Sequence, residues 1–236
     1  MPGFNGIKND VLYIHTTFED NINNLDEAFL AEADRVKKFD IRKFSNLFLG
    51  EWMSAEANAL FNQKHLDLAR TSWEGERGYT VVAIDPAVTA NKDSDETAIV
   101  KAYKSGQHFV IEEVLHGIWT PNEWARKAID LAEDANELIY ESNQGGLLVE
   151  NALKNAGCTK KISSVHASKG KILRAEPIEV LYAKGLVHHL RSFDQLEKEM
   201  VTFTGSSHDR SPNCLDAMVW ALTSLKSRNS FTLKWA

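Results

Sequence analysis

The chain has 236 residues, 43% hydrophobic and 25% charged, with 13 glycines and 5 prolines, the make-up of an ordinary globular chain with room for one large domain and an appendage. No apolar run approaches the roughly 20 residues of a membrane span, MPGFNGIKND lacks the pattern of a secretory signal, and Cys158 and Cys214 are too few for a disulfide framework, which fits a reducing, cytosolic setting. A net charge of −6 does not advertise a nucleic-acid binder, but it is uneven: −11 over residues 1–157 and +5 over residues 158–236, so the C-terminal third either faces a polyanion or is simply a mixed, solvated surface.

Residues 1–75 read as a mostly helical segment. A short strand-like run, Val11-Leu12-Tyr13-Ile14, precedes a helix in which Leu25, Phe29, Ala33 and Val36 recur at helical spacing. A second helix is expected in the forties and fifties, and Thr71 to Gly78 reads as a linker. From residue 76 the pattern changes. Tyr79 to Ile84 is short, apolar and β-branched, which predicts a buried central strand ending at Asp85-Pro86. Thr97–Tyr103 and His108–Leu115, joined at Ser105-Gly106, complete an antiparallel meander.

Helices then alternate with strands. Thr120-Pro121-Asn122-Glu123 is a helix start with a cap, a proline in the first turn and a glutamate three residues on. Glu137 to Tyr140 is a strand ending at Glu141. A helix follows Gly145-Gly146 and stops at Gly157. Lys161–His166 is a strand, Lys171–Ala183 and Phe193–Val201 are helices, and Ser211-Pro212 opens a last helix to about Leu225. The expected fold is α/β: a mixed sheet of three antiparallel strands followed by alternating helices and strands, with helices on both faces. That is the strand order of the RNase H-like fold.

Three acids stand out. Asp85 and Glu141 each end a hydrophobic strand, and Asp216 lies one turn into the final helix, on the flank of its apolar stripe. Each has a plain structural explanation: a turn residue before proline, a cap for a glycine-rich turn, and a favourable place near a helix N-terminus. If the first and fourth strands are neighbours, all three meet at one sheet edge. Hard oxygen donors there suit Mg²⁺ or Mn²⁺, and two such ions would hold a scissile phosphate.

The segments Val82-Ala83-Ile84-Asp85-Pro86-Ala87, Tyr140-Glu141-Ser142-Asn143-Gln144-Gly145-Gly146 and Asp209-Arg210-Ser211-Pro212-Asn213-Cys214-Leu215-Asp216-Ala217 resemble the nuclease domain of tailed-phage terminase large subunits. The runs Leu12 to Asn21 and Leu49-Gly50-Glu51-Trp52 resemble the segment joining that family's ATPase to its nuclease. The resemblance implies two-metal hydrolysis of double-stranded, concatemeric viral DNA during genome packaging in the cytoplasm of a bacterial host. It implies the terminase small subunit and the portal as partners in a full-length context, and no membrane. It makes Asp85, Glu141 and Asp216 the catalytic, metal-holding acids and Asp209 an accessory ligand; a loop cap or a pair with Arg210 accounts for Asp209 better. Lys169, Lys171 and Arg174, around a helix start, are candidate phosphate contacts or surface cations. No G-x-x-x-x-G-K-[ST] phosphate loop is present, so no ATPase activity is expected: the chain reads as a C-terminal fragment, a truncated prophage product or a nuclease-only form. Other RNase H-like nucleases, of resolvase or transposase type, share such acids, and a non-catalytic module docking on the portal or small subunit is the alternative of another class.

Overall fold

The computed structural model describes residues 6–8, 10–39, 41–50, 59–70, 72–87, 96–142, 146–167, 170–205 and 211–228. The chain divides into two compact units, residues 1–58 and 59–236. In the first, β1 (Gly6–Lys8) and β2 (Val11–Tyr13) form an antiparallel hairpin. A 3-10 segment, Phe18–Asn24, leads into α1 (Glu27–Phe39) and α2 (Ile41–Phe48). Ala33, Val36 and Phe44 form its small core, with Phe18, Phe48 and Leu49 packed against them. Glu51 and Trp52 lie outside the described residues.

The second unit opens with α3 (Gln63–Ala69). It then follows the expected order: β3 (Thr80–Asp85), β4 (Thr97–Ser105), β5 (His108–Gly117), α4 (Pro121–Leu131), β6 (Glu137–Glu141), α5 (Gly146–Asn155), β7 (Lys161–Val165), α6 (Lys171–Ala183), β8 (Val187–His189), α7 (Asp194–Thr202) and α8 (Asn213–Ser227). The six strands lie in the order β7-β6-β3-β4-β5-β8. β3, β4 and β5 are the antiparallel meander, while β6 runs parallel to β3, β7 parallel to β6, and β8 parallel to β5.

Period-two alternation divides the sheet's side chains between two cores. Val81, Ala83, Val100 and Ile139 face one side, which α3, α6, α7 and α8 cover. Val82, Ile84, Ile99, Leu138 and Tyr140 face the other, against Trp124 and Ala128 of α4 and Val149 and Leu153 of α5. With both faces covered, β3 has no polar face, which is why it reads as a continuous apolar run. The predicted cap of α4 forms in both directions: Thr120 N–H donates to Glu123 and Glu123 N–H to Thr120 Oγ1. Gly106 turns β4 into β5 at φ +60°.

Beyond β1 and α3, which the sequence reading did not single out, two further features differ from it. β8 is an addition to it; three residues, Val187-His188-His189, are too few for a periodic signal. And the stretch read as a linker is packed: the Trp73 ring lies 4.4 Å from that of His108 and 4.2 Å from that of His188, and those two imidazoles hydrogen-bond at 2.9 Å. Among the described residues no helix is long and apolar enough to cross a membrane.

Candidate active site

The parallel pairing of β3 with β6 sets the site. Ile84 is in register with Tyr140, so Asp85 and Glu141, the next residues, end adjacent strands at the same edge. α8 packs across β3 and β4 and brings Asp216, only 6% exposed, to that edge from its first turn. Asp85 carries the largest electrostatic consequence. Burial above all, with repulsion from Asp216 and Glu141, pushes its carboxyl up to about 8 against the pull of Lys171 and Arg174. Burial also raises Asp216, although Lys171 and Arg174 oppose it.

Two cations from the first turn of α6 stand among the acids. Lys171 Nζ lies 2.6 Å from Asp216 Oδ2. Arg174 bridges two carboxylates, with Nη2 3.4 Å from Asp216 Oδ1 and Nη1 3.5 Å from Glu141 Oε1. These are two of the three residues expected to touch phosphate; the third, Lys169, lies outside the described residues, as does Asp209. Among the described residues no three acidic, histidine or cysteine side chains are gathered tightly enough to share one ion. The acids thus share an edge, and their charge is balanced by Lys171 and Arg174. Three carboxylates together repel one another, and each cation inserted between them relieves that repulsion.

Two further residues shape the site, and the sequence reading missed both. Trp220 Nε1–H donates to Glu141 Oε2 at 3.0 Å, and its ring lies 4.6 Å under the Arg174 guanidinium. It stands four residues after Asp216, on the same helix face, which is the signal that could have found it. Glu199, on α7, supplies a cap that α8 lacks locally. Pro212 at the N-cap makes no side-chain cap bond, and Glu199 Oε2 instead accepts the Leu215 N–H at 2.9 Å. This holds the first turn, and with it Asp216. We expect Glu199→Ala to cost about 0.5–2 kcal/mol, as for loss of a helix cap, and to lower any activity of the Asp216 site, while Glu199→Gln, which keeps an acceptor oxygen, restores both. Melting temperatures and plasmid nicking read this; a Gln variant as impaired as the Ala variant would dismiss the capping role.

The histidines of β8 sit away from this edge. His188 and His189 belong to β8, separated from β3 by β5 and β4. His189 is buried between the Tyr182 hydroxyl, 2.8 Å from Nε2, and Glu197, 3.0 Å from Nδ1. His208 lies outside the described residues.

A mixed sheet with this order, helices on both faces and acids ending β3, β6 and the start of α8 defines an RNase H-like protein. Residues 82–225 match the family model described as the terminase RNaseH-like domain. The chain belongs to that family. Solved structures agree on the fold. The nuclease domain of the large terminase subunit gp2 of bacterial virus Sf6 is 17% identical, with a TM-score of 0.52 over 70% of this chain and 98% of that one. A human cytomegalovirus terminase nuclease domain, soaked with Mn and inhibitor-bound, is 13% identical, with a TM-score of 0.51 over 70% of this chain and 95% of that one. The large terminase of a thermophilic bacteriophage is 14% identical, with a TM-score of 0.56; the match covers 92% of this chain and 57% of that one. A search of curated proteins found no match.

Proposed function

We propose that this protein is a metal-dependent endonuclease that cuts concatemeric double-stranded viral DNA during genome packaging. The observation that carries the reading is the placement of Asp85, Glu141 and Asp216 along one sheet edge, in a chain of the terminase RNaseH-like family. All three donors are carboxylate oxygens, the set that suits Mg²⁺ or Mn²⁺, and the cytomegalovirus relative was soaked with Mn. The raised Asp85 carboxyl and the two inserted cations mark a place where positive charge is in demand. Asp85, Glu141 and Asp216 would hold the ions, with Asp209, seven residues before Asp216 in the sequence, a further candidate. Bound there, a pair of divalent ions supplies an activated water and charge neutralisation at the scissile phosphate.

The protein's own groups prepare that chemistry. Asp85 gives up its proton on becoming a ligand. Trp220 keeps Glu141 turned to the site through its N–H. Lys171 and Arg174 exchange carboxylate partners for phosphate oxygens of the substrate, a role that needs no sequence readout. The pairs of Arg174 with Asp216 and Glu141 are long, at 3.4 and 3.5 Å, which favours such an exchange. The terminase small subunit and the portal are its partners in the packaging machine.

The test is nicking of supercoiled plasmid with Mn²⁺, with Mg²⁺ and with chelator. Absence of metal-dependent cleavage would remove the proposal. A companion prediction concerns the lysine. Lys171 is 44% exposed, so its pair with Asp216 is worth about 0.5–1 kcal/mol. Lys171→Ala should therefore bind Mn²⁺ about two- to fivefold more tightly by titration calorimetry; weaker binding would show that the lysine does not compete with the metal.

A further inference from the structure

Between α6 and α8 lies a cavity of about 230 Å³. Arg174 and Lys226 line it with the imidazole of His166, and Trp220, Leu173, Pro177 and Thr223 are among its other lining residues; among the described side chains that line it, none is a carboxylate. The volume falls below the roughly 300–1,000 Å³ of a site for a whole small-molecule ligand. It suits one unit of a polymer whose other units lie outside. Two cations beside an apolar wall form the pairing that single-stranded nucleic acid recognises: charge for the phosphate, apolar surface for the base.

The cavity also shares its walls with the acid site. Arg174 reaches Asp216 at 3.4 Å and Trp220 reaches Glu141 at 3.0 Å, and both side chains line the cavity. A strand held at the acids therefore has its neighbouring nucleotide within reach of this space. A base stacked inside a duplex cannot enter a recess of this size between two helices; a base taken out of the stack can. We infer that this cavity is a subsite for one unpaired nucleotide flanking the scissile phosphate, with Lys226 and His166 at its phosphate and the exposed Leu173–Pro177 surface at its base. The inference rests on the nuclease reading, since it takes the acids to hold the neighbouring phosphate.

The experiment measures binding of a fluorescent twelve-residue oligo(dT), and of a duplex of the same length, in chelator so that nothing is cut. Thr223→Trp fills the cavity and should weaken oligo(dT) binding about fivefold or more, the scale of losing one base contact, with duplex binding unchanged. Lys226→Gln should weaken oligo(dT) binding and flatten the slope of log affinity against log salt by about 0.7, one single-strand phosphate contact. Melting temperatures within about 2 °C of wild type establish that both variants fold, and if Thr223→Trp fails this, Lys226→Gln decides alone. Wild-type binding by the folded variants overturns the subsite, and so does an equal loss for single strand and duplex. Plasmid nicking is scored separately. No nicking by the wild type, with oligo(dT) binding still sensitive to the variants, removes the nuclease and leaves the subsite; nicking with insensitive binding does the reverse.

Discussion

Asp85→Asn is expected to lower metal-dependent plasmid nicking by more than about 100-fold. Loss of a residue that merely orients a metal ligand costs about 10–100-fold, and Asp85 is placed to be a ligand itself. The substitution preserves shape, so the fold should survive, and a pH profile separates the two effects. The Asp85 carboxyl is held at about 8, by burial first and by Asp216 and Glu141 after it, against an ordinary 3.8. Its folded form therefore binds the proton more tightly than the unfolded chain does. The associated stability is complete below about pH 4 and is lost as pH rises through 8. Metal-free wild type should melt at lower temperature as pH climbs from 5 to 8, and Asp85→Asn should lose that slope. Mn²⁺ must displace the same proton, so its stabilising effect on wild type should grow over the same interval. Full nicking by the variant, or a wild-type melting profile flat with pH, would overturn the role given to Asp85.

Glu197→Ala should be the most destabilising single change on the side of the sheet covered by α3, α6, α7 and α8. Glu197, 4% exposed, accepts from His189 Nδ1 at 3.0 Å, Arg70 Nε at 2.9 Å, the Phe193 N–H at 3.2 Å and Ser192 Oγ at 3.3 Å. It ties the end of α3 to β8 and α7. Removing one partner of a buried ionic group leaves the others unmatched, at about 3–5 kcal/mol, or about 6–20 °C of melting temperature for a unit of this size. The acid limb should carry the same signature. Burial pushes the Glu197 carboxyl up, but hydrogen bonds from His189, Arg70 and Phe193 outweigh it and bring the group to about 2, against an ordinary 4.5. The unfolded chain then takes up the proton first as pH falls. The stability, about 3 kcal/mol by the size of the shift, is present above pH 4.5 and lost on the way down to 2. Glu197→Gln should melt with a flatter dependence between pH 4.5 and 2. An unchanged acid limb in that variant would show that the carboxylate is not the group being titrated.

How much of this was legible beforehand follows from the range of the forces involved. The buried run Val81 to Ile84 and the capping box at Thr120 and Glu123 are local patterns, and the structure contains both. The mixed sheet also follows from the order of elements, since short links give antiparallel neighbours and helical crossovers give parallel ones. β8 escaped because three residues carry no periodicity, and the packed Trp73 escaped because its partners His108 and His188 come from distant strands.

The sequence by itself determined that acids end two apolar strands and begin the last helix, because strand and helix periods assign each residue a position and a face. Only the tertiary structure decided what those acids meet. Arg174 and Asp216 are 42 residues apart, Trp220 and Glu141 are 79, and Glu199 caps a helix other than its own. No local pattern encodes such pairings. They arise when packing of α6, α7 and α8 on one face of the sheet brings the groups into a low-dielectric space where unmatched charge is costly. The three acids are therefore an edge held in balance by Lys171 and Arg174.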